Sequence, residues 1–147
     1  MRLSFRATAR NPINNQIPRS SHFLGMTRTG YFLVVSRLEP YKRVNIVVGA
    51  FNYLNLPLII VGKGSERNNL QRIANANTTF VSGLSDAELA QLYINAEALI
   101  MPQEEEFGYV SLEAQFFGCP VISYTKGGAS ETIIDGKTGI FFNEQTE

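Results

Sequence analysis

The 147-residue chain carries 13 basic and 13 acidic residues and is 44% hydrophobic, enough to bury one domain's core but with no net field for a polyanion. A nucleic-acid partner held by bulk charge is therefore excluded, and any anion site must be built locally. The lone Cys119 cannot close an internal disulfide, and neither a secretory leader nor an apolar run of roughly 18 residues is legible, so a cytoplasmic protein is expected.

Residues 1–29 place Arg2, Arg6, Arg10, Arg19 and Arg28 among Asn, Ser, Thr and two prolines, without a sustained hydrophobic period. They read as an extension, poorly ordered in part. An Arg-rich, acid-free start also suits an organelle transit peptide, but the lack of an amphipathic helical pattern favours the remnant of an upstream domain. His22, the only histidine, lies here without a nameable partner and reads as an incidental surface residue. With one Cys and one His, no metal site of the usual soft ligands can be assembled.

From residue 30 onward, apolar runs of strand length alternate with helical patterns. Strands are expected at 31–36, 58–61, 78–81, 98–101, 121–124 and 139–142, and helices at about 45–53, 66–74, 86–95 and 109–117. Runs that are apolar throughout imply strands buried on both faces, hence a parallel sheet, and short connections suit right-handed crossovers. The fold class is α/β: residues 30–147 form a Rossmann-like three-layer αβα domain on a parallel sheet of about six strands. Ser85 followed by Glu88 forms a capping box for the third helix, whose Leu89, Leu92, Tyr93 and Ala96 form an inward stripe. These four read as core rather than chemistry.

In such a sheet ligands bind beyond the carboxyl ends of the strands, where each suggestive loop falls. After the first strand, Arg37 offers a guanidinium fork and Lys42 an ammonium to one diphosphate. Alone, a solvated charged loop is the better account of that pair. After the second strand, Gly62 and Gly64 either let backbone approach a ligand or make a tight turn. The third glycine of a dinucleotide fingerprint and the ending of a P-loop are both missing, which disfavours NAD binding and ATP hydrolysis.

After the fourth strand comes Glu105-Glu106-Phe107-Gly108-Tyr109-Val110-Ser111-Leu112-Glu113-Ala114. Glu105 lies on the loop and Glu113 about one turn inside the next helix, so both carboxylates can face one cleft. The amides of Phe107, Gly108, Tyr109 and Val110 meet at a helix N-terminus, where unpaired donors and the helix dipole attract phosphate. Glu113 is placed to accept paired ribose hydroxyls, and sugar plus phosphate indicates a nucleotide. A glycosidase pair is set aside, because that chemistry sets two carboxyl groups on either side of one bond, without a phosphate-seeking helix between them. Glu104 and Glu106 read as solvated neighbours, and Cys119 as a small buried residue. Gly127 and Gly128 suggest a loop close to the ligand or a turn into a short helix.

The Glu-x7-Glu stretch, with Gly118-Cys119-Pro120-Val121-Ile122 after it, resembles the signature of the retaining glycosyltransferase family 4, the group 1 transferases of the GT-B fold. Glu106 stands where that family usually has glycine. The resemblance continues through Gly127-Gly128-Ala129-Ser130-Glu131-Thr132 and back to Val35-Ser36-Arg37-Leu38 and Lys42, covering roughly residues 30 to 147. The wording of 124–132 is most similar to the branch of O-antigen mannosyltransferases.

The resemblance implies the C-terminal, donor-binding half of a GT-B enzyme. By it, Arg37 and Lys42 hold the pyrophosphate and join Glu105, which meets the donor sugar, as the catalytic set. Glu113 takes the ribose, and the loop from Val81 grips the base through its backbone. The implied donor is a nucleoside-diphosphate hexose, GDP-mannose favoured and a UDP-sugar open, with no metal required for the leaving diphosphate. The implied acceptor is a glycan or a lipid-linked glycan, which in the family sits on an N-terminal domain. The chain alone is thus expected to be inactive, with a missing domain or self-association completing it and contact with the inner membrane face left open. The rival is a non-catalytic nucleotide-binding or protein-interaction module, using the surface that a missing domain leaves bare.

Overall fold

The computed structural model describes residues 21–23, 26–28 and 30–146. It opens with an antiparallel ribbon of β1 (Ser21–Phe23) and β2 (Met26–Arg28), in which His22 stands opposite Thr27. The sequence reading took this stretch as plain extension, because two three-residue strands are too short to show any period. The rest of the extension lies outside the described residues.

The main body alternates strands and helices: β3 (Tyr31–Val35), α1 (Val44–Leu54), β4 (Leu58–Val61), α2 (Arg67–Ile73), β5 (Thr78–Val81) and α3 (Asp86–Asn95), then β6 (Ala96–Met101), α4 (Tyr109–Phe116), β7 (Val121–Tyr124), α5 (Ala129–Thr132) and β8 (Gly139–Phe142). Six strands pair in parallel in the order β5-β4-β3-β6-β7-β8, giving the expected Rossmann-like sheet. The order reverses between β3 and β6. There the chain leaves one strand toward one edge and the other toward the opposite edge, so their outgoing loops part and leave a crevice.

Alternation along each strand splits the core in two. On β4, Leu58 and Ile60 point to α1 and α2, where Val44, Val47, Val48 and Phe51 form a stripe at helical spacing beside Leu70. Ile59 and Val61 point the other way, toward Leu92, Tyr93, Ala114 and Ala129 from α3, α4 and α5. Every residue of β4 is buried, and truncating one of its leucine or isoleucine side chains to alanine costs about 2–5 kcal/mol.

Element positions follow the sequence closely, with one exception. The fourth long strand begins at Ala96 rather than Ala98, and α3 passes into it without a loop. Glu97 interrupts the apolar run and hid those two residues; the pairing also slips there, with Tyr31 opposite Ala96 but Phe32 opposite Ala98. The capping box at Ser85 is present, with Glu88 N–H donating to Ser85 Oγ and Ser85 N–H to the Glu88 carboxylate.

Candidate functional site

The loops after β3 and β6 are joined by one side-chain pair. A 3-10 turn at Pro40–Lys42 ends at Arg43, whose left-handed backbone (φ 55°) breaks it from α1 and leaves Lys42 free to cross the crevice. Lys42 Nζ forms an ion pair with Glu105 Oε1, over 63 residues of sequence, with side chains only 15% and 23% exposed. Gln103 Nε2 donates to the same oxygen at 2.6 Å.

On one side of the crevice, the Arg37 loop is bonded to the loop after β4. Ser36 N–H donates to Val61 O at 3.0 Å, Leu38 N–H to Lys63 O at 2.9 Å, and Glu66 N–H to Leu38 O at 2.9 Å. A Cβ on Gly62 would lie 1.9 Å from Ser36 O, and one on Gly64 2.2 Å from Leu38 O. The two glycines are therefore required by backbone meeting backbone, whatever else lies near them. Glu39 adds a side-chain clasp, accepting from Ser65 Oγ at 2.7 Å and from its amide at 3.3 Å. Those bonds hold the Glu39 carboxyl below its usual range.

Between these loops and α4 opens a groove of about 680 Å³, lined by Arg37, Gly62, Gly64, Ser82, Leu84 and Val110, among others. Of the residues expected at the base position, Val81 itself is otherwise engaged. Its side chain is in the core, and its carbonyl accepts from Gly62 N–H at 3.1 Å, so the next three residues line the groove in its place. Leu89, read as core alone, also reaches the groove wall.

On the other side, Gly128 N–H donates to Glu105 O at 2.6 Å, and a Cβ on Gly128 would lie 2.2 Å from Glu106 O. The start of α4 is fixed to α5 through Ser111, whose hydroxyl meets Gly108 O at 2.7 Å and Thr132 Oγ1 at 2.9 Å. The amides of Tyr109 and Val110 occupy the first helical turn, where no carbonyl of the same helix can reach them. Of the four residues whose amides were expected to meet phosphate, Val110 lines the groove; the side-chain rings of Phe107 and Tyr109, with centroids 4.7 Å apart, are exposed to solvent. Glu113 projects from α4, and its Oε2 accepts from Tyr93 Oη at 3.2 Å.

Of the predicted residues, Arg37, Gly62, Gly64 and Val110 lie around the groove, Lys42 with Glu105 across the crevice, and Glu113 on α4 with Tyr93, while Phe107, Gly108 and Tyr109 stand where the loop enters α4 and Val81 is in the core. Sequence reasoning missed Gln103, Glu39 and the second role of Tyr93. A polar residue directly after the apolar run of β6 was the available signal for Gln103; a phenol in an apolar stripe was the only one for Tyr93. Burial pushes the Tyr93 phenol well above its ordinary range, with the Glu113 charge adding to it, so it stays a donor. Cys119 is buried, and its thiol is pushed up to about 11, which makes it a poor nucleophile. Among the described residues no three His, Cys, Asp or Glu stand together as a metal would need, and no helix is long and apolar enough to cross a membrane.

The family model described as Glycosyl transferases group 1 matches residues 23–147, so the likeness begins within β1, ahead of the point read from the sequence. A glycogen synthase of Mycobacterium tuberculosis is 35% identical over 127 residues, which are 77% of this chain and 30% of that protein. A GDP-mannose-dependent alpha-(1-6)-phosphatidylinositol monomannoside mannosyltransferase of Mycolicibacterium smegmatis is 34% identical over 123 residues, 71% of this chain and 32% of its own. Among solved structures, the pneumococcal O-GlcNAc transferase GtfA in complex with UDP and GlcNAc superimposes with a TM-score of 0.66 at 26% identity, covering 80% of this chain and 25% of that one. The chain spans about 30% of the length of the curated relatives it matches.

Proposed function

The chain belongs to the group 1 glycosyl transferases, and on that premise we propose that it is the donor-binding domain of a retaining enzyme that moves a hexose from a nucleoside-diphosphate sugar to a glycan or lipid-linked acceptor. One observation carries the reading. Lys42 and Glu105 meet where the loops of β3 and β6 part, beside a groove lined by Arg37, Gly62 and Gly64.

In this reading the diphosphate lies across Arg37, Lys42 and the first-turn amides of α4, the ribose at Glu113, and the base against residues 82–84. Glu105 meets the hydroxyls of the donor sugar. The two cations and the helix N-terminus oppose the charge that grows on the departing diphosphate, so no divalent metal is required for that task. GDP-mannose is the donor we favour, supported by the Mycolicibacterium smegmatis relative; the UDP held by the pneumococcal transferase supports a UDP-sugar. The acceptor is held by another domain or a second copy, and residues 1–147 by themselves bind donor without transferring the sugar.

Thermal melting with GDP, UDP, ADP and their sugars tests the site. A ligand at one hundred times its dissociation constant adds about 2.7 kcal/mol to stability, which shifts the melting temperature by several degrees. No shift with any nucleoside diphosphate at millimolar concentration rules the site out. Mass spectrometry after incubation with GDP-mannose and a lipid-linked acceptor tests the last claim, and a mannosylated product overturns it.

A further inference from the structure

Gln103 is a buried amide with no structural task that an apolar residue could not perform. It is 4% exposed, at the first turn beyond β6, and its Oε1 is buried without a partner. An unpaired buried carbonyl is a cost to the fold, and a methionine of similar size would avoid it. What Gln103 does supply is one donor, Nε2, set 2.6 Å from Glu105 Oε1. The backbone around it is fixed as well: Gln145 Nε2 donates to Pro102 O at 2.7 Å, and Gly128 N–H to Glu105 O at 2.6 Å.

Glu105 Oε1 therefore has two donors of different kinds. Lys42 is an ammonium on a flexible four-carbon stem, carried by the loop after β3 whose Arg37 lines the groove where an anion is proposed to bind. Gln103 is buried and uncharged, so an anion in the groove cannot draw it away. An arriving diphosphate competes with Glu105 for Lys42, and as that contact loosens, Gln103 remains to hold the carboxylate. Because both donors sit on Oε1, Oε2 keeps its lone pairs for hydroxyl groups.

Building on the donor-site reading above, we propose that Gln103 is a positioning residue that keeps the Glu105 carboxylate oriented toward the donor sugar while Lys42 is engaged by the diphosphate. Its effect belongs to the sugar-bearing ligand alone. A nucleoside diphosphate without sugar does not use Glu105, and so gains little from Gln103.

The experiment is calorimetric titration of the intact protein and of Gln103→Met and Gln103→Glu with GDP, GDP-mannose, UDP and UDP-glucose. Gln103→Met is expected to weaken the sugar nucleotide by about tenfold and its parent nucleotide by less than about twofold, the loss typical of one hydrogen-bonded contact. Gln103→Glu sets a second carboxylate against Glu105, and such a pair takes up a shared proton more readily than either group alone. That proton restores a bond between the two side chains, so in this variant affinity for the sugar nucleotide is expected to rise as pH falls from about 8 to 5, relative to the intact protein. A Gln103 that only filled space would give no such pH profile. Equal losses for nucleotide and sugar nucleotide in Gln103→Met, or no loss in either, overturn the assignment while leaving the donor site standing. Failure of the intact protein to bind any of the four ligands overturns the donor site, and this assignment with it.

Discussion

The phenol of Tyr93 and the carboxylate of Glu113 are hydrogen-bonded at 3.2 Å between α3 and α4, which makes a core residue the support of a residue proposed to meet the ribose. Tyr93 is itself held flat against Phe117, with ring centroids 5.9 Å apart and an 8° interplanar angle. Its hydroxyl thus reaches Glu113 from a fixed platform.

Replacing Tyr93 with Phe keeps that stacking and removes the donor. The expected loss in stability is about 1 kcal/mol, visible as a shifted urea midpoint with unchanged slope. Affinity for a nucleoside diphosphate should fall several-fold, since Glu113 then loses its orienting bond. A full loss of folding in this variant is not expected.

The two carboxylates should separate by ligand. Glu113→Gln is expected to weaken UDP or GDP itself, and Glu105→Gln mainly the sugar-bearing form, each by about 1–3 kcal/mol. Calorimetry with both ligand types checks this, and matching losses for both variants with both ligands would count against the division.

Lys42→Met leaves Glu105 with Gln103 as its remaining side-chain partner. Because the pair is only partly exposed, about 1–2 kcal/mol of stability should go with it. The affinity for a nucleoside diphosphate should drop about tenfold, and its dependence on ionic strength should flatten. Titrations at low and high salt measure both effects.

Cys119 gives an alkaline prediction whose sign follows from burial. Its folded-state value, pushed up to about 11, exceeds that of a free thiol, so the unfolded chain releases the proton first as pH rises. The associated stability is complete below about pH 9 and is lost by about pH 11, by at most about 2–3 kcal/mol. Urea melts at about pH 8 and 10.5 should therefore differ less for Cys119→Ala than for the intact protein.

The architecture was legible because its signals are local. Continuous apolar runs marked the strands, and Ser85 with Glu88 marked the start of α3. The loops bearing Arg37, Lys42 and Glu105, and the start of the helix bearing Glu113, could be placed at one end of the sheet because parallel strands send all such connections there. Contacts made across the sequence left no such trace. Gln103 reads as an ordinary polar residue until its partner is known, and Tyr93 as an ordinary core aromatic. Gly62 and Gly64 allowed two readings, and only the approach of Ser36 and Leu38 backbone shows what forbids a side chain there.

The ion pair between Lys42 and Glu105 has a consequence for ligand selection. On the donor-site reading, any anion that binds Lys42 must displace an internal rival, a carboxylate tethered beside it at high effective concentration. Free phosphate offers Glu105 nothing in exchange for its lost partner. A sugar nucleotide brings its own hydroxyl groups, and so restores to the displaced carboxylate the hydrogen bonds that its phosphates take away. On the donor-site reading, the protein thereby handicaps the abundant bare anions and favours the ligand that carries both halves.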